Sequence, residues 1–269
     1  MTTSFCLYGL KTRIIVGGDD LAGILIEAAF RSPAAGIQNG DLLVAAESAV
    51  ATAEGRLVRL AEIAPSAKAS ILAERYGMDE RLVEVVLRES DEVVGGIQGF
   101  LLTMKGGTLL PNAGVDASNA PEGFVVPLPA DPNASAQALR GTIEARCGIR
   151  CGVIIADSRT HAMRLGCSGV AIGVAGITAV VDERGKRDLF GKELHVTQRA
   201  VADNLASAAE IVMGEADEST PAAIVRGLEI PIVDETGIAA IEASKCLFMG
   251  VALHADPAVL NREGKPDRS

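Results

Sequence analysis

Acids stand at three points of this 269-residue chain where an apolar segment has just ended. Asp157 and Ser158 follow the apolar run 153–156, which has the pattern of a buried strand that presents an acid and a hydroxyl at its exposed end. Asp116 lies in a loop of small residues, and Glu215 follows a helical pattern that stops at Gly214. Hard oxygen ligands suit divalent cations, and loops that follow apolar elements often carry function. We predict that Asp116, Asp157 and Glu215 converge on a divalent-metal site.

Each of these acidic segments also has a purely structural interpretation. The loop 112–119, which contains Asp116, has the composition of an ordinary Asx-rich turn. The acids Glu215, Asp217 and Glu218 oppose the helix dipole, so they form either a solvated helix end or half of a metal site. The loop 182–188 crowds charged residues around Gly185 and suits either the handling of ions or a solvated hairpin.

Periodic patterns predict a mixture of strands and helices around these loops. Strand patterns cover residues 5–10, 42–50, 153–156 and 222–225, and Gly106-Gly107 joins 99–105 to 108–111 as a hairpin. Helical patterns cover 21–28, 66–76, 80–88, 132–147, 197–213 and 236–251, with Asp131 and Thr197 as caps of two of them. On the helix 197–213 the pattern places Val201, Leu205, Ala208 and Val212 on the inner face. Glycines at 169, 173 and 176 predict close approach of another backbone or a ligand.

The composition excludes several classes of function. A net charge of −10 argues against nucleic-acid binding, and 3% aromatic residues without tryptophan make base-stacking surfaces improbable. The five cysteines form no CxxC pair, which argues against a disulfide framework or a thiolate zinc site. Residues 1–30 lack the layout of a signal peptide, and no apolar run approaches the ~20 residues of a membrane-spanning helix. We therefore expect a soluble, cytoplasmic protein.

Two common catalytic arrangements are absent from the sequence. His161, His195 and His254 lack metal-ligand spacing, so we predict that none of the three is catalytic. Neither GxxxxGK[ST] nor GxGxxG occurs, so a nucleotide would not be held by a P-loop or a Rossmann turn.

Five segments together resemble the coenzyme F-420 γ-glutamyl ligases. They are NAGVDASN at 112–119, IIADS at 154–158, GVAIGVAGI at 169–177, DERGKRDLFGKEL at 182–194 and VADNLASAAEIVMGEAD at 201–217, with PAAIVRG following at 221–227. The resemblance covers about residues 5–230 and implies a GTP-dependent ligase. Such a ligase joins L-glutamate to the carboxylate of a deazaflavin precursor through an acyl phosphate, and it uses Mg²⁺ or Mn²⁺ with K⁺ as a further cation.

The resemblance also implies an architecture. It is an α+β ligase fold particular to the family, with mixed sheets, packed helices, two intimate lobes and an intertwined homodimer. The ligase domain would span residues 1–255. The segment 256–269 combines prolines with mixed charges, which predicts a disordered tail.

Site residues follow from the same resemblance. Asp116 and Asp157 match the positions that hold one metal ion, and Ser158 and Glu215 match those that hold a second. Nucleotide-contacting positions correspond to Leu10, Lys11, Thr12, Arg13, Glu47, Ser48, Thr52 and Asn119, and to the segment Met213, Gly214, Glu215, Ala216, Asp217, Glu218, Ser219 and Thr220. Independently of the resemblance, Arg164, Lys186 and Arg187 are candidates to stabilise phosphoryl or acyl-phosphate charge, because guanidinium and ammonium groups suit those oxygens. The alternative for each is a surface cation.

Three departures from the family pattern leave alternatives open. Thr52 replaces a lysine, residues 160–163 replace a Gly-Arg-Pro-aromatic step, and Asn204 replaces a glutamate. The presumed metal ligands are all present, which favours retained phosphoryl chemistry with altered nucleotide affinity or acceptor choice. The alternatives are a ligase with another carboxylate acceptor, a non-catalytic nucleotide-binding paralogue, or an unchanged ligase in which Lys11, Arg13 or Arg59 restores the missing charge.

Overall fold

Twelve strands and seven α-helices lie within residues 4–252, the part of the chain that this computed structural model describes. The helices are α1 (Leu21–Arg31), α2 (Glu47–Ala53), α3 (Ala67–Tyr76), α4 (Glu80–Glu89), α5 (Pro132–Cys147), α6 (Val201–Met213) and α7 (Leu247–Ala252). The strands are β1 (Cys6–Leu10), β2 (Leu42–Ala46), β3 (Val58–Arg59), β4 (Glu92–Ile97), β5 (Phe100–Lys105), β6 (Thr108–Pro111), β7 (Phe124–Val125), β8 (Gly152–Thr160), β9 (Cys167–Ala175), β10 (Val180–Asp182), β11 (Gln198–Ala200) and β12 (Ala222–Arg226). This mixture of sheets and helices belongs to the α+β class.

A five-stranded sheet of order β1-β12-β2-β8-β9 forms the centre of the fold. Strands β2 and β8 run parallel, with Leu42 opposite Gly152 and Ala46 opposite Ala156, whereas the other neighbours are antiparallel. The carboxyl ends of β1, β2 and β8 therefore meet the first residues of β12 and β9 at one edge of the sheet. Every loop that leaves this edge can contribute to a common site.

Both faces of the central sheet are covered, which explains the continuous apolar runs of β2 and β8. Leu43 and Ile155 point to one face, where they pack with Leu25 of α1 and Ile143 of α5. Leu42, Val44 and Ile154 point to the other face, against α6. A third apolar cluster joins α3 and α4 to the sheet β4-β5-β6.

Glycines of β9 let both helix layers approach the sheet closely, as the sequence predicts. A Cβ atom on Gly169 would lie 2.5 Å from the backbone carbonyl carbon of Ala206 in α6. A Cβ atom on Gly173 would collide with the carbonyl oxygen of Pro132 in α5. Gly169 thus sets the distance of α6 from the sheet, and Gly173 sets the distance of α5.

Predicted caps and turns are confirmed where the side-chain chemistry is specific. Asp131 accepts from two N–H groups at the start of α5, as predicted. The Ser66 hydroxyl, which was predicted only as the first residue of a helix, accepts from the Ala69 N–H and caps α3. Gly77 and Gly148 end these helices in the left-handed conformation. The hairpin between β5 and β6 turns through Gly106 and Gly107, both with positive φ.

Two predictions about element boundaries are wrong. The strand predicted over 42–50 ends at Ala46, because the parallel pairing with β8 ends opposite Ala156 and the chain then turns into α2. Thr197 does not cap α6, since residues 198–200 pair with β10 as a strand and the helix begins at Val201 without a side-chain cap. The inner face of α6 also differs from the prediction. Ala202, Ala206 and Ala209 are buried, whereas Ala208 and Val212 are partly exposed.

The helix predicted over 236–251 is wrong except at its end, where α7 begins at Leu247. Thr236 forms a bridge to Ala175, Gly237 has a φ of 105°, and a single 3₁₀ turn covers Ala243–Lys245 before α7. The backbone is therefore tied to the edge of the sheet where a helix was expected. The predicted tail, 256–269, lies outside the described residues. None of the helices within 4–252 combines the length and hydropathy that crossing a bilayer requires.

Candidate active site

A cavity of about 620 Å³ lies at the edge of the central sheet where the loops converge. Five segments that are far apart in sequence line it: the loop after β1, the start of α2, the loop after β6, the end of β8 and the segment after α6. The predicted site residues that line it are Thr12, Arg13, Glu47, Ser48, Thr52, Asp116, Asn119, Asp157, Ser158 and all eight residues 213–220. The volume falls within the range of small-molecule sites in proteins.

Parallel pairing of β2 with β8 places Glu47 beside Asp157. Ala46 lies opposite Ala156, and each acid is the next residue along its chain. The two acids therefore leave adjacent strand ends at the same edge of the sheet, where ligands of α/β sheets commonly bind.

Backbone hydrogen bonds hold the loops of the cavity together. The Thr12 N–H donates to the Ser219 carbonyl at 2.9 Å, and the Ala46 N–H donates to the Pro221 carbonyl at 2.8 Å. Glu218 accepts from the Ala216 N–H at 2.8 Å, which folds the segment after α6 back on itself. This segment is thus fixed against both β1 and β2.

A short ladder fixes Asp116 at the opposite wall of the cavity. The Asp116 N–H donates to the Val126 carbonyl at 3.0 Å, and the Val126 N–H donates to the Asp116 carbonyl at 2.7 Å. One carboxylate oxygen, Oδ1, accepts from the N–H and the hydroxyl of Ser118, each at 3.0 Å. This is the Asx turn that the sequence suggested, and it holds a carboxylate in the cavity wall.

Negative charge accumulates in this cavity and shifts the pKa values of its acids. Burial, together with the charges of Asp157 and Asp116, raises the pKa of Glu47 to about 8. Burial raises the pKa of Asp157 as well, and Asp116 adds to that increase. Burial and the charge of Glu215 raise the pKa of Glu210 to about 7. Such shifts mark a site that favours additional positive charge.

The donor set fits divalent cations in its chemistry. Asp116, Asp157, Ser158 and Glu215 offer hard oxygen atoms. Burial, with neighbouring carboxylates, raises the pKa values of Asp157 and Glu210, and a bound cation would oppose both effects. Within residues 4–252, no three His, Cys, Asp or Glu side chains form a group that could hold one ion. Two protein ligands per ion suit Mg²⁺, which commonly keeps waters and binds substrate phosphates. The assignment of ions to these residues stays a prediction.

Five predicted site residues do not line this cavity. Leu10 is fully buried in the core, and Lys11 is exposed beside the loop after β1. Arg164, Lys186 and Arg187 are exposed on hairpin loops, where Lys186 pairs with Glu183 and Arg187 donates to the Gly191 carbonyl. Their predicted roles in charge stabilisation are therefore not supported by a place in this cavity.

The departures from the family pattern fall in different environments. Thr52 lines the cavity from α2, whereas Asn204 is exposed on α6 and residues 161–164 are exposed in the β8–β9 hairpin. Arg13 reaches the cavity but is paired with Asp19, and Arg59 lies over the ring of Phe124 at 5.0 Å. Lys11 does not line the cavity either, so the charge absent at Thr52 is not restored by the three predicted candidates.

Sequence reasoning missed Glu210 and Arg159. Glu210 was missed because it lies inside α6, in its last turn, where no loop or strand end marked it. A single acid between the buried Ala209 and Met213 was the available signal. Arg159 follows Asp157 at a spacing of two, which on a strand gives the same face. Its Nε donates to Asp157 Oδ2 at 2.8 Å.

Fold and cavity together define an α+β protein with an acidic ligand site built from loops at one edge of the central sheet. The family model described as F420-0:Gamma-glutamyl ligase matches residues 9–227, a range that contains every residue of the cavity. The chain belongs to this family of ligases. That result confirms the resemblance drawn from the sequence motifs.

Three similar proteins are also named as ligases. A protein of Methanopyrus kandleri named "Coenzyme F420:L-glutamate ligase" is 49% identical over 213 residues, which is 79% of this chain and 82% of the relative. Relatives of the same name from Methanothermobacter thermautotrophicus and Methanocaldococcus jannaschii are 43% and 42% identical, over 82% and 85% of this chain and 88% and 90% of their own lengths.

Proposed function

We propose that this chain is a GTP-dependent ligase that joins L-glutamate to the carboxylate of a deazaflavin precursor of coenzyme F-420. One observation carries the proposal. Asp116, Asp157, Ser158 and Glu215 come from three distant parts of the chain and line the same cavity as Asn119 and the segment 213–220. Family membership supports the reaction class, and the names of the relatives support the two substrates.

The reaction must activate a carboxylate so that an amine can attack its carbon. In the first step a carboxylate oxygen of the acceptor bonds to the γ-phosphorus of GTP, and the bond from that phosphorus to the GDP oxygen breaks. In the second step the amine nitrogen of L-glutamate bonds to the acyl carbon. The carbon–oxygen bond to phosphate then breaks, and a proton leaves the nitrogen. Electrostatic stabilisation and positioning dominate phosphoryl transfer.

The residues of the cavity divide this task. Asp116 and Asp157 would hold one Mg²⁺ or Mn²⁺ ion, and Ser158 with Glu215 would hold a second. Bound divalent ions neutralise phosphate charge and orient phosphoryl oxygens. Asn119 and the segment 213–220 would bind the nucleotide. Backbone hydrogen bonds to β1 and β2 hold this segment in place at the cavity. K⁺ as a further cation belongs to the same proposal.

An apolar wall suits the acceptor. Phe100, Leu110 and Val126 line the cavity beside Asp116, and the Phe100 side chain is half exposed there. Ligand sites commonly combine apolar walls with a few fixed polar groups. We assign this wall to the ring system of the deazaflavin precursor.

A homodimer is part of the proposal. Met163 and Leu165 in the β8–β9 hairpin, and Leu189 and Phe190 in the loop after β10, are almost fully exposed. Apolar side chains exposed in this way favour a protein partner. Sedimentation equilibrium should give the mass of two chains, and a monomer at micromolar concentration would contradict the dimer.

The ligase proposal is tested by mass spectrometry of the products. Purified protein is incubated with GTP, Mn²⁺, L-glutamate and the deazaflavin precursor, with parallel reactions that contain ATP or omit the acceptor. We expect a product heavier by one glutamyl group, and further glutamyl additions if the product also serves as acceptor. GTP binding without any glutamyl increment would support the non-catalytic paralogue, and increments on a different carboxylate would reassign the acceptor.

Asp116→Ala provides the inactive comparison. Loss of this carboxylate should lower kcat at least about 100-fold, the magnitude typical of a lost electrostatic group in an active site, with an unchanged unfolding midpoint. Glu122→Ala is the matched control, because Glu122 is an exposed acid after the same loop and does not line the cavity. Full turnover by Asp116→Ala would refute the assigned role of Asp116.

A further inference from the structure

The cavity holds far more negative than positive side chains. Among the described residues that line it, Arg13 and Arg159 are the only cations. The carboxylates are Glu47, Asp116, Asp157, Glu210, Glu215, Asp217 and Glu218. A polyanionic ligand that enters this cavity needs every available cation, so the hydrogen bonds of these two arginines matter.

The guanidinium of Arg13 is hydrogen-bonded within its own loop. Its Nη1 and Nη2 donate to Asp19 Oδ2 and Oδ1, each at 2.7 Å, and Nη1 also donates to the Ile14 carbonyl at 2.9 Å. The Val16 N–H completes the site around Asp19 at 2.8 Å. This paired guanidinium closes the loop after β1 and has few donors left for a ligand.

Arg159 has its terminal nitrogens available. Its Nε donates to Asp157 Oδ2, and the side chains are 13% and 14% exposed. In residues 4–252 neither Nη atom has a hydrogen-bond partner. Among the described residues, the only buried side-chain nitrogen or oxygen without a hydrogen-bond partner is the Nε of Arg56. The Nη atoms of Arg159 also lack partners, so they are not buried and reach solvent in the cavity that Arg159 lines. A guanidinium can hold one anion through Nε and another through its Nη atoms.

We propose that Arg159 is a phosphate-binding residue, whose Nη atoms bind phosphate oxygens of the nucleotide while its Nε orients Asp157. This inference rests on the proposed function. Phosphate is favoured over a substrate carboxylate because the ion assigned to Asp157 would itself bind phosphate oxygens. A group hydrogen-bonded to Asp157 therefore lies beside the same oxygens.

Calorimetric titration of wild type, Arg159→Lys and Arg159→Ala tests the inference at saturating Mn²⁺. The ligands are inorganic tripolyphosphate, a non-hydrolysable GTP analogue and guanosine. For Arg159→Ala we expect affinity for the first two ligands to fall about 10- to 150-fold, the range of one lost charge-assisted contact. Arg159→Lys should lose less affinity for these two ligands, because lysine keeps the positive charge but lacks the paired N–H groups of the guanidinium. The affinity for guanosine should not change in either variant.

Two controls separate phosphate binding from structural effects. Arg81→Ala removes a matched arginine, two residues from Asp79 and bonded to it through Nε at 3.0 Å, at a surface outside the cavity. This variant should bind all ligands as wild type does. Mn²⁺ affinity in the absence of other ligands, and the circular dichroism spectrum, are measured for each variant.

The outcomes separate this inference from the proposed function. Unchanged tripolyphosphate affinity in Arg159→Ala overturns the inference, including when Mn²⁺ affinity changes, because the arginine would then only orient Asp157. Tripolyphosphate binding that depends on Arg159, without binding of any nucleotide, would refute the GTP-dependent reaction and retain the phosphate site. A wild type that binds neither anion refutes both.

Discussion

Asp203 of α6 accepts a hydrogen bond at 2.9 Å from the N–H of Ala171, at the point where β9 bulges away from β8. Ile155 pairs with Gly173 and Ala156 pairs with Ala171, so Ile172 is the extra residue of a β-bulge. The carboxylate satisfies an N–H that the bulge removes from the ladder. The bulge changes the register immediately before Asp157, and α6 stabilises it.

Removal of this carboxylate should destabilise the protein. Asp203→Ala leaves the partly buried Ala171 N–H without a partner, which should lower the free energy of unfolding by about 1–3 kcal/mol in urea titrations. Asp203→Asn is the control. Its amide oxygen can still accept the hydrogen bond, so its free energy of unfolding should fall less than that of Asp203→Ala. Equal stability of all three proteins would show that solvent satisfies the bulge as well as Asp203 does.

A second prediction concerns the contact between β9 and α6. Gly169→Ala should lower the free energy of unfolding by about 1–3 kcal/mol, because its methyl group would overlap the backbone of Ala206. Ser207 donates to the Gly169 carbonyl at 2.7 Å, so the shift should also weaken this hydrogen bond. Thermal unfolding measures both effects together.

Gly141→Ala is the matched control for that substitution. Gly141 lies on the exposed side of α5, and a Cβ atom there meets no other atom within 4 Å. Alanine has the higher helix propensity, so this variant should gain up to about 1 kcal/mol. Destabilisation by both substitutions would show that backbone freedom rather than close packing accounts for Gly169.

A third prediction concerns acid stability through Glu84 of α4. The hydroxyl and N–H of Ser66, together with Arg88, lower the pKa of Glu84 to about 2. A lowered pKa means that the folded state favours the carboxylate. The resulting stability is present above the ordinary pKa near 4.5 and is lost as the pH falls toward 2.

Glu84→Gln isolates this contribution. At pH 7 the variant should be less stable than wild type by about 1–2 kcal/mol, and urea titrations at decreasing pH should show the difference shrinking below pH 4.5. Glu74→Gln, on the exposed side of α3, should match wild type throughout. A Glu84→Gln difference that stays constant from pH 7 to pH 3 would refute an ionic origin.

Local chemistry explains which elements the sequence could predict. The cap at Asp131 and the turn at Gly106-Gly107 use a side chain or glycines that favour one conformation, and both are confirmed. Residues 47–50 and 198–200 were assigned wrongly because their conformation depends on where a partner strand ends or begins. Strand β4 was missed for the same reason, since its glycines are stabilised by pairing with β5.

The candidate site divides in a similar way. Asp157 and Asp116 follow strand patterns, so the sequence predicts that each lies just beyond a strand. The family motifs then relate both residues to Glu215. Glu210 has no such marker, because its importance depends on the approach of the Glu215 and Asp157 charges in the folded chain. Arg159 also has two possible orientations in sequence, and only the strand geometry shows its Nε on Asp157.

The last prediction concerns Thr52, which lines the cavity from α2 at the position where the family pattern has a lysine. The side chain of Thr52→Lys would add a cation to a cavity with seven acids. One new charge-assisted phosphate contact should raise GTP affinity about 10- to 150-fold. Neither Lys11 nor Arg59 lines the cavity and Arg13 is bound to Asp19, so none of these three candidates replaces the lysine at position 52.

A second variant separates nucleotide affinity from acceptor choice. Thr160→Gly, His161→Arg, Ala162→Pro and Met163→Phe together restore the family pattern in the β8–β9 hairpin, whose residues 161–163 are exposed and do not line the cavity. We expect this variant to keep the wild-type GTP affinity and to change only kcat/KM for the acceptor. Calorimetry with a non-hydrolysable GTP analogue and steady-state kinetics with the deazaflavin precursor measure the two quantities. If Thr52→Lys leaves GTP affinity unchanged and the hairpin variant leaves acceptor kcat/KM unchanged, both departures are neutral and the unchanged-ligase alternative is correct.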